Sequence, residues 1–126
     1  MQTTKFYSAL ANGGVEETPH FLMRYLQSDS TEEFDSTDVI DNKNAIPVMV
    51  DMLRGVCING TGVLANIPGF GVAGKTGTGE IADSSGSYLS DAYYVSFVGF
   101  LSQASVPMLC FVGAEKAPTD AVVTNV

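Results

Sequence analysis

The chain reads as α/β of the α+β kind, an antiparallel sheet of about three strands flanked by helices. Three observations predict it. An apolar stripe at helical spacing runs through residues 45–57; two apolar runs, 92–101 and 106–115, lie close enough to form a hairpin; and a segment of small residues, 71–79, precedes them as an open strand.

Residues 1–11 favour helix, and Asn12-Gly13-Gly14 stops it, because Asn and Gly tolerate the left-handed conformation that closes a helix. Residues 15–26 contain Pro19 and read as extended chain, with at most a short strand at 21–25. Eight of the fourteen carboxylates fall between Glu16 and Asp41, so the Ser- and Thr-rich stretch 28–38 reads as a solvated loop. In the next helix Ala45, Val48, Met49, Met52, Leu53 and Val56 form one stripe, with Asp51 and Arg54 on the other side. Pro47 is harmless in a first turn, which makes Asn44 the expected N-cap. Asn59-Gly60 ends this helix as Asn12-Gly13 ends the first. After strand 71–79, residues 82–91 read as a loop, and 102–105 join the two hairpin strands. Both hairpin strands are apolar at odd and even positions and so need cover on both faces. Only two helices are visible, which leaves one face of the sheet without a partner.

Composition excludes several functions. A net charge of −8, with six cations scattered from Lys5 to Lys116, argues against a nucleic-acid partner. No run approaches the ~18 apolar residues of a membrane span, so the chain is expected to be soluble. Cys57 and Cys110 each sit in an apolar run and read as small buried hydrophobes rather than a disulfide. With a single histidine, His20, beside Pro19, no metal site is expected and the imidazole reads as a loop group. Met1 opens directly on a helical run with no signal peptide, so the chain is expected to be either cytosolic or a segment of something larger.

The most informative stretch is Gly74-Lys75-Thr76-Gly77-Thr78. One cation, two hydroxyls and an approachable backbone on a short strand suit an anionic acyl substrate and a developing oxyanion. Residues 69–76 also satisfy the phosphate-loop pattern G-x-x-x-x-G-K-[ST]. Its context is wrong, because Pro68-Gly69 precedes it and Gly77-Thr78-Gly79 follows, where such a loop needs a buried strand before it and a helix after it. No serine is followed three residues later by lysine, and no Ser-x-Asn occurs, so the nucleophile and base for this strand lie outside the chain.

The chain resembles the penicillin-binding protein transpeptidases, most closely the class B cell-division and elongation type. Tyr7-Ser8-Ala9-Leu10-Ala11-Asn12-Gly13-Gly14 and Pro19-His20 are similar to the family's helix ending in Ala-Asn-Gly-Gly and the proline after it. Met52-Leu53-Arg54-Gly55-Val56, Gly60-Thr61-Gly62 and Ala65 resemble the helix and turn before the active strand. Val72-Ala73-Gly74-Lys75-Thr76-Gly77-Thr78 resembles that strand, and Ser96-Phe97-Val98-Gly99-Phe100 with Pro107 the hairpin after it. The resemblance implies that residues 1–126 are the C-terminal part of a transpeptidase domain that cross-links peptidoglycan stem peptides through a serine acyl-enzyme, with β-lactams as mimics of the substrate. It implies no cofactor, a membrane-anchored parent facing the outside of a bacterial cell, and Lys75, Thr76, Gly77 and the Thr78 backbone N–H as groups that bind the substrate carboxylate and oxyanion. Ser-x-x-Lys and Ser-x-Asn are absent, so the isolated chain is expected to be inert; without the flanking strands and the nucleophile-bearing helix that the resemblance implies, it is also expected to self-associate through an exposed strand edge. The alternative is a non-enzymatic binding or assembly module that keeps only the fold.

Overall fold

The computed structural model describes residues 2–21, 34–105 and 108–117. Helix α1 (Gln2–Ala11) leads into β1 (Val15–Glu17), which pairs antiparallel with β2 (Ser36–Asp38). Helix α2 (Ala45–Asn59) and a 3₁₀ turn (Val63–Ala65) follow, and then three strands, β3 (Val72–Ala82), β4 (Tyr88–Leu101) and β5 (Leu109–Ala117), form one antiparallel sheet in the order β3-β4-β5.

Helix α1 closes as its sequence dictates. Gly13 and Gly14 take positive φ of 67° and 96°, and the Gly14 N–H reaches back to the Ala9 carbonyl at 2.7 Å, satisfying an end-of-helix acceptor. The end of α2 differs from expectation. Gly60 has φ −109°, so no left-handed residue is needed there; glycine is required instead because a Cβ would lie 2.9 Å from both Cα and O of Val56. The start of α2 is also shifted. Asn44 is itself helical and makes no side-chain cap bond. Its N–H donates to Asn42 Oδ1 at 3.2 Å, so Asn42 does the capping, and the bonds Ala45 N–H to Asn42 O and Ile46 N–H to Lys43 O form a tight 3₁₀ lead-in ahead of Pro47.

The stripe that α2 buries is not the expected one. Ile46, Val50, Leu53 and Cys57, at i, i+4, i+7 and i+11, are covered, as in part are Arg54 and Val56; of the expected stripe only Leu53 and Val56 are therefore covered, whereas Val48, Met49 and Met52 stay 54%, 43% and 63% exposed. The helix is apolar nearly all round, so periodicity alone admits either stripe. Leu53 joins Leu10, Ala73 and Phe100 in the central cluster, with Tyr7, Ile40, Val50 and Leu109 packed against it. Ala73 and Phe100 are cross-strand partners, so both helices serve one face of the sheet. On the other face Val72, Phe97, Leu101 and Cys110 line an apolar cavity of about 300 Å³, bordered by Ala65, Ile67 and Met108. Among the described residues no α-helix lies across this face, but it is not without a partner: the 3₁₀ turn borders it through Ala65, and the turn at Gly62 packs against Phe97.

Several boundaries move. The predicted loop 82–91 shrinks to a turn at residues 83–87, because Asp83 Oδ1 accepts from the Ser85 N–H at 2.8 Å, the Ser85 hydroxyl at 2.6 Å and the Ser87 N–H at 3.1 Å, while Gly86 takes φ 86°. β3 and β4 therefore extend beyond expectation. The acidic segment contributes β2, whose three residues pair with β1 yet remain exposed; residues 28–33 of that segment lie outside the described residues, as do 22–25 of the possible early strand and Val106 and Pro107 of the hairpin. Cys57 is buried as expected, but Cys110 is exposed, because β5 is an outer strand of the sheet and little covers it.

Candidate active site

Lys75 to Thr78 lie on β3 in regular register with β4: Lys75 opposite Val98, Thr76 opposite Phe97, Gly77 opposite Ser96 and Thr78 opposite Val95. The pleat puts Lys75 and Gly77 on one face and Thr76 and Thr78 on the other. Lys75 and Thr76 meet only at the margin of the strand. There the Lys75 ammonium curls round to donate to the Thr76 carbonyl at 2.8 Å and lies 3.5 Å from Thr76 Oγ1.

The direction of the backbone follows from two contacts. The Ser102 N–H at the end of β4 donates to the Gly71 carbonyl at 3.1 Å, so the odd-numbered residues face β4, and the Thr76 carbonyl receives Lys75 on the other side. In an antiparallel strand, N–H and C=O leave a residue on the same side and switch sides at each step. Gly74, Thr76 and Thr78 therefore turn their polar backbone groups to the side of β3 that β4 does not occupy. Glycine at 74 is a packing requirement, since a Cβ there would meet the Phe97 ring at 2.5 Å and the Val98 carbonyl at 2.6 Å.

A groove of about 420 Å³ opens between α1 and the sheet beside this margin. Thr3 and Tyr7 of α1 form one wall, Ser96, Val98 and Phe111 belong to the sheet, and Lys75, Thr76 and Gly77 border it. Thr78 is not among its lining residues. Burial raises the Tyr7 phenol above its ordinary range, so it stays a protonated hydroxyl beside the groove. Burial likewise pushes the Cys57 thiol up, partly offset by the Gly74 N–H. His20 is elsewhere: its Nδ1 lies 2.8 Å from the Thr18 carbonyl, and its ring stacks on Phe34 with centroids 3.5 Å apart. No helix starts after Lys75, which continues within an eleven-residue strand, so the phosphate-loop reading has no helix N-terminus to use.

Sequence reasoning did not single out Thr61 or Cys57 as partners of this margin. Thr61 Oγ1 lies 2.6 Å from Thr76 Oγ1. The only signal for it was its place in the Gly60-Thr61-Gly62 block; a hydroxyl pair fifteen residues apart has no periodicity to betray it.

The family model of the penicillin binding protein transpeptidase domain matches residues 1–122. The chain belongs to that family. It is 34% identical over 110 residues to the penicillin-binding protein PbpB of Mycobacterium tuberculosis, an alignment that covers 79% of this chain and 16% of the relative. Among solved structures, the apo form of penicillin binding protein 3 from Mycobacterium tuberculosis aligns with a TM-score of 0.79 at 28% identity, covering 91% of this chain and 28% of that one. The same protein complexed with aztreonam gives a TM-score of 0.77 at 28% identity, over 93% of this chain and 28% of that one. The chain thus spans 16% of that curated relative and 28% of each of those two solved structures. Among the described residues no helix is long and apolar enough to cross a membrane.

Proposed function

We propose that this chain supplies the carboxylate- and oxyanion-binding strand of a D,D-transpeptidase that cross-links peptidoglycan stem peptides through a serine acyl-enzyme. Residues 1–126 form part of one catalytic domain, and the attacking serine and its base come from polypeptide outside the chain. The observation that carries the reading is the margin of β3, where the Lys75 ammonium sits against Thr76 and the Thr76 and Thr78 backbones face outward.

In this reading Lys75 draws the terminal carboxylate of the acyl-D-alanyl-D-alanine substrate, and the Thr76 and Thr78 hydroxyls hydrogen-bond to it. Charge-assisted bonds of this kind are about twice as strong as neutral ones. Gly77 lets the peptide backbone approach, and the Thr78 N–H is one of two oxyanion donors, the other being the N–H of the nucleophile. Loss of one such donor typically costs about 2.7–4 kcal/mol of transition-state stabilisation. β-Lactams, whose carboxylate mimics that of the substrate, acylate the same serine. The longer protein works at the extracytoplasmic face of a bacterial membrane and needs no cofactor.

Fluorescent penicillin tests this. The expected result is covalent labelling of a longer polypeptide that contains this sequence, no labelling of residues 1–126 alone, and a loss of about 10²-fold or more in labelling rate when Lys75→Ala is introduced into the longer form. Stable labelling of the 126-residue chain by itself would contradict an external nucleophile.

A further inference from the structure

We infer that Thr61 is a positioning residue which turns the Thr76 hydroxyl into a dedicated hydrogen-bond donor for the ligand carboxylate. The inference rests on the carboxylate-binding reading of β3 and adds a residue from outside the strand.

A threonine hydroxyl has one proton to give and two lone pairs to fill. Around Thr76 Oγ1 two groups are in place, the Thr61 hydroxyl at 2.6 Å and the Lys75 ammonium at 3.5 Å. An ammonium can only donate. If Thr61 donates as well, both lone pairs of Thr76 Oγ1 are engaged and its single proton is left to point away from the protein, toward an anion at the strand margin. The opposite polarity would spend the Thr76 proton on Thr61 and offer a carboxylate only a lone pair. An arriving anion therefore selects the first arrangement, and Thr61 makes it available without rearrangement.

The exit turn of α2 fixes Thr61 for this task. The N–H groups of Gly60 and Gly62 both donate to the Val56 carbonyl at 3.1 Å, which pins the residue between them. A Cβ on Gly60 would strike Val56, and one on Gly62 would lie 3.3 Å from the Phe97 ring and 3.5 Å from Cys57 Sγ, so this turn is pressed against the strand pair that carries Thr76. Cys57, one turn earlier in α2, is fully buried beneath the same turn. The exit of α2 thus meets β3 at the Thr76 hydroxyl from a packed position.

The test uses this chain in solution, with N-acetyl-D-alanyl-D-alanine and the C-terminal amide of the same dipeptide as probes, followed through the Thr76 and Thr78 amide resonances. Wild type is expected to prefer the carboxylate form. Thr61→Val, which keeps the shape and removes the hydroxyl, should weaken carboxylate binding about fivefold, the worth of one ordinary hydrogen bond, and leave binding of the amide unchanged. Thr61→Ser should restore the preference. In a Thr76→Val background, Thr61→Val should have no further effect, because the group it acts through is gone. A wild type that does not distinguish the two probes would overturn the carboxylate site and this inference with it. A wild type that does distinguish them, with Thr61→Val equally discriminating, would overturn the positioning role alone.

Discussion

The chemistry of this chain is concentrated in single residues whose surroundings fix their state. Cys57 shows how. Burial raises its thiol pKa and the Gly74 N–H only partly opposes this, so the folded state holds the proton more tightly than the unfolded chain, whose thiol titrates near about 8.5. The associated stability is fully present below that value and is lost as pH rises from there through the folded pKa. Urea midpoints measured from pH 7.5 to 9.5 should therefore fall on the alkaline side for wild type, and Cys57→Ala should remove that slope even though it lowers stability at neutral pH. A pH profile unchanged by Cys57→Ala would show that the thiol does not contribute. At this scale the sequence was partly legible. Lys75, Thr76, Gly77 and Thr78 announce themselves as a contiguous motif, and strand geometry turns the Thr76 and Thr78 backbones to the open margin. Thr61 and the Cys57 contact were hidden, because they depend on how a helix end meets a strand, which no local spacing encodes. Cys110 misled for a related reason: its apolar neighbours on β5 suggest burial, yet an outer strand has nothing among the described residues to bury it.

Among the elements, α2 links the sheet to its margin. Its Leu53 is 6% exposed and sits between α1 and the Ala73–Phe100 pair. Leu53→Ala removes that contact and leaves a cavity, so a loss of about 2–5 kcal/mol is expected from denaturant titration; a loss below 1 kcal/mol would mean that the cluster does not hold the helices to the sheet. Helix α2 was readable from its local period, helix α1 from its Asn-Gly-Gly stop, and the strands from apolar or small-residue runs with short connections. The choice of buried stripe was not. Ile46, Val50, Leu53 and Cys57 are as apolar as Val48, Met49 and Met52, and only the placement of β3 decides between them. The turn at residues 83–87 was read as a longer loop because Ser and Gly dominate it, whereas one carboxylate, Asp83, gathers three donors and lets the flanking strands continue.

For the whole molecule, two surfaces stand out. The Val48–Met49–Met52 stripe of α2 is uncovered, and β5 is an outer strand on which Phe111 and Val112 are 40% and 58% exposed. Both surfaces are apolar and open to a partner. In the isolated chain the β5 edge is a template for a second copy. Light scattering is expected to give a mass above 13.3 kDa that grows with concentration, and Val112→Lys, which puts a charge on that strand, should return the monomer. A wild-type monomer at high concentration would refute strand-edge pairing. The register adds a link between the two margins of the sheet. Lys75, Val98 and Phe111 are successive cross-strand partners in one row, about 10 Å from end to end, and all three border the same groove. A chain that docks along β5 therefore lies beside Phe111, a wall of the groove that Lys75 also borders. A fluorine on the ring of Phe111 would report, from the opposite margin of the same face, when that groove fills.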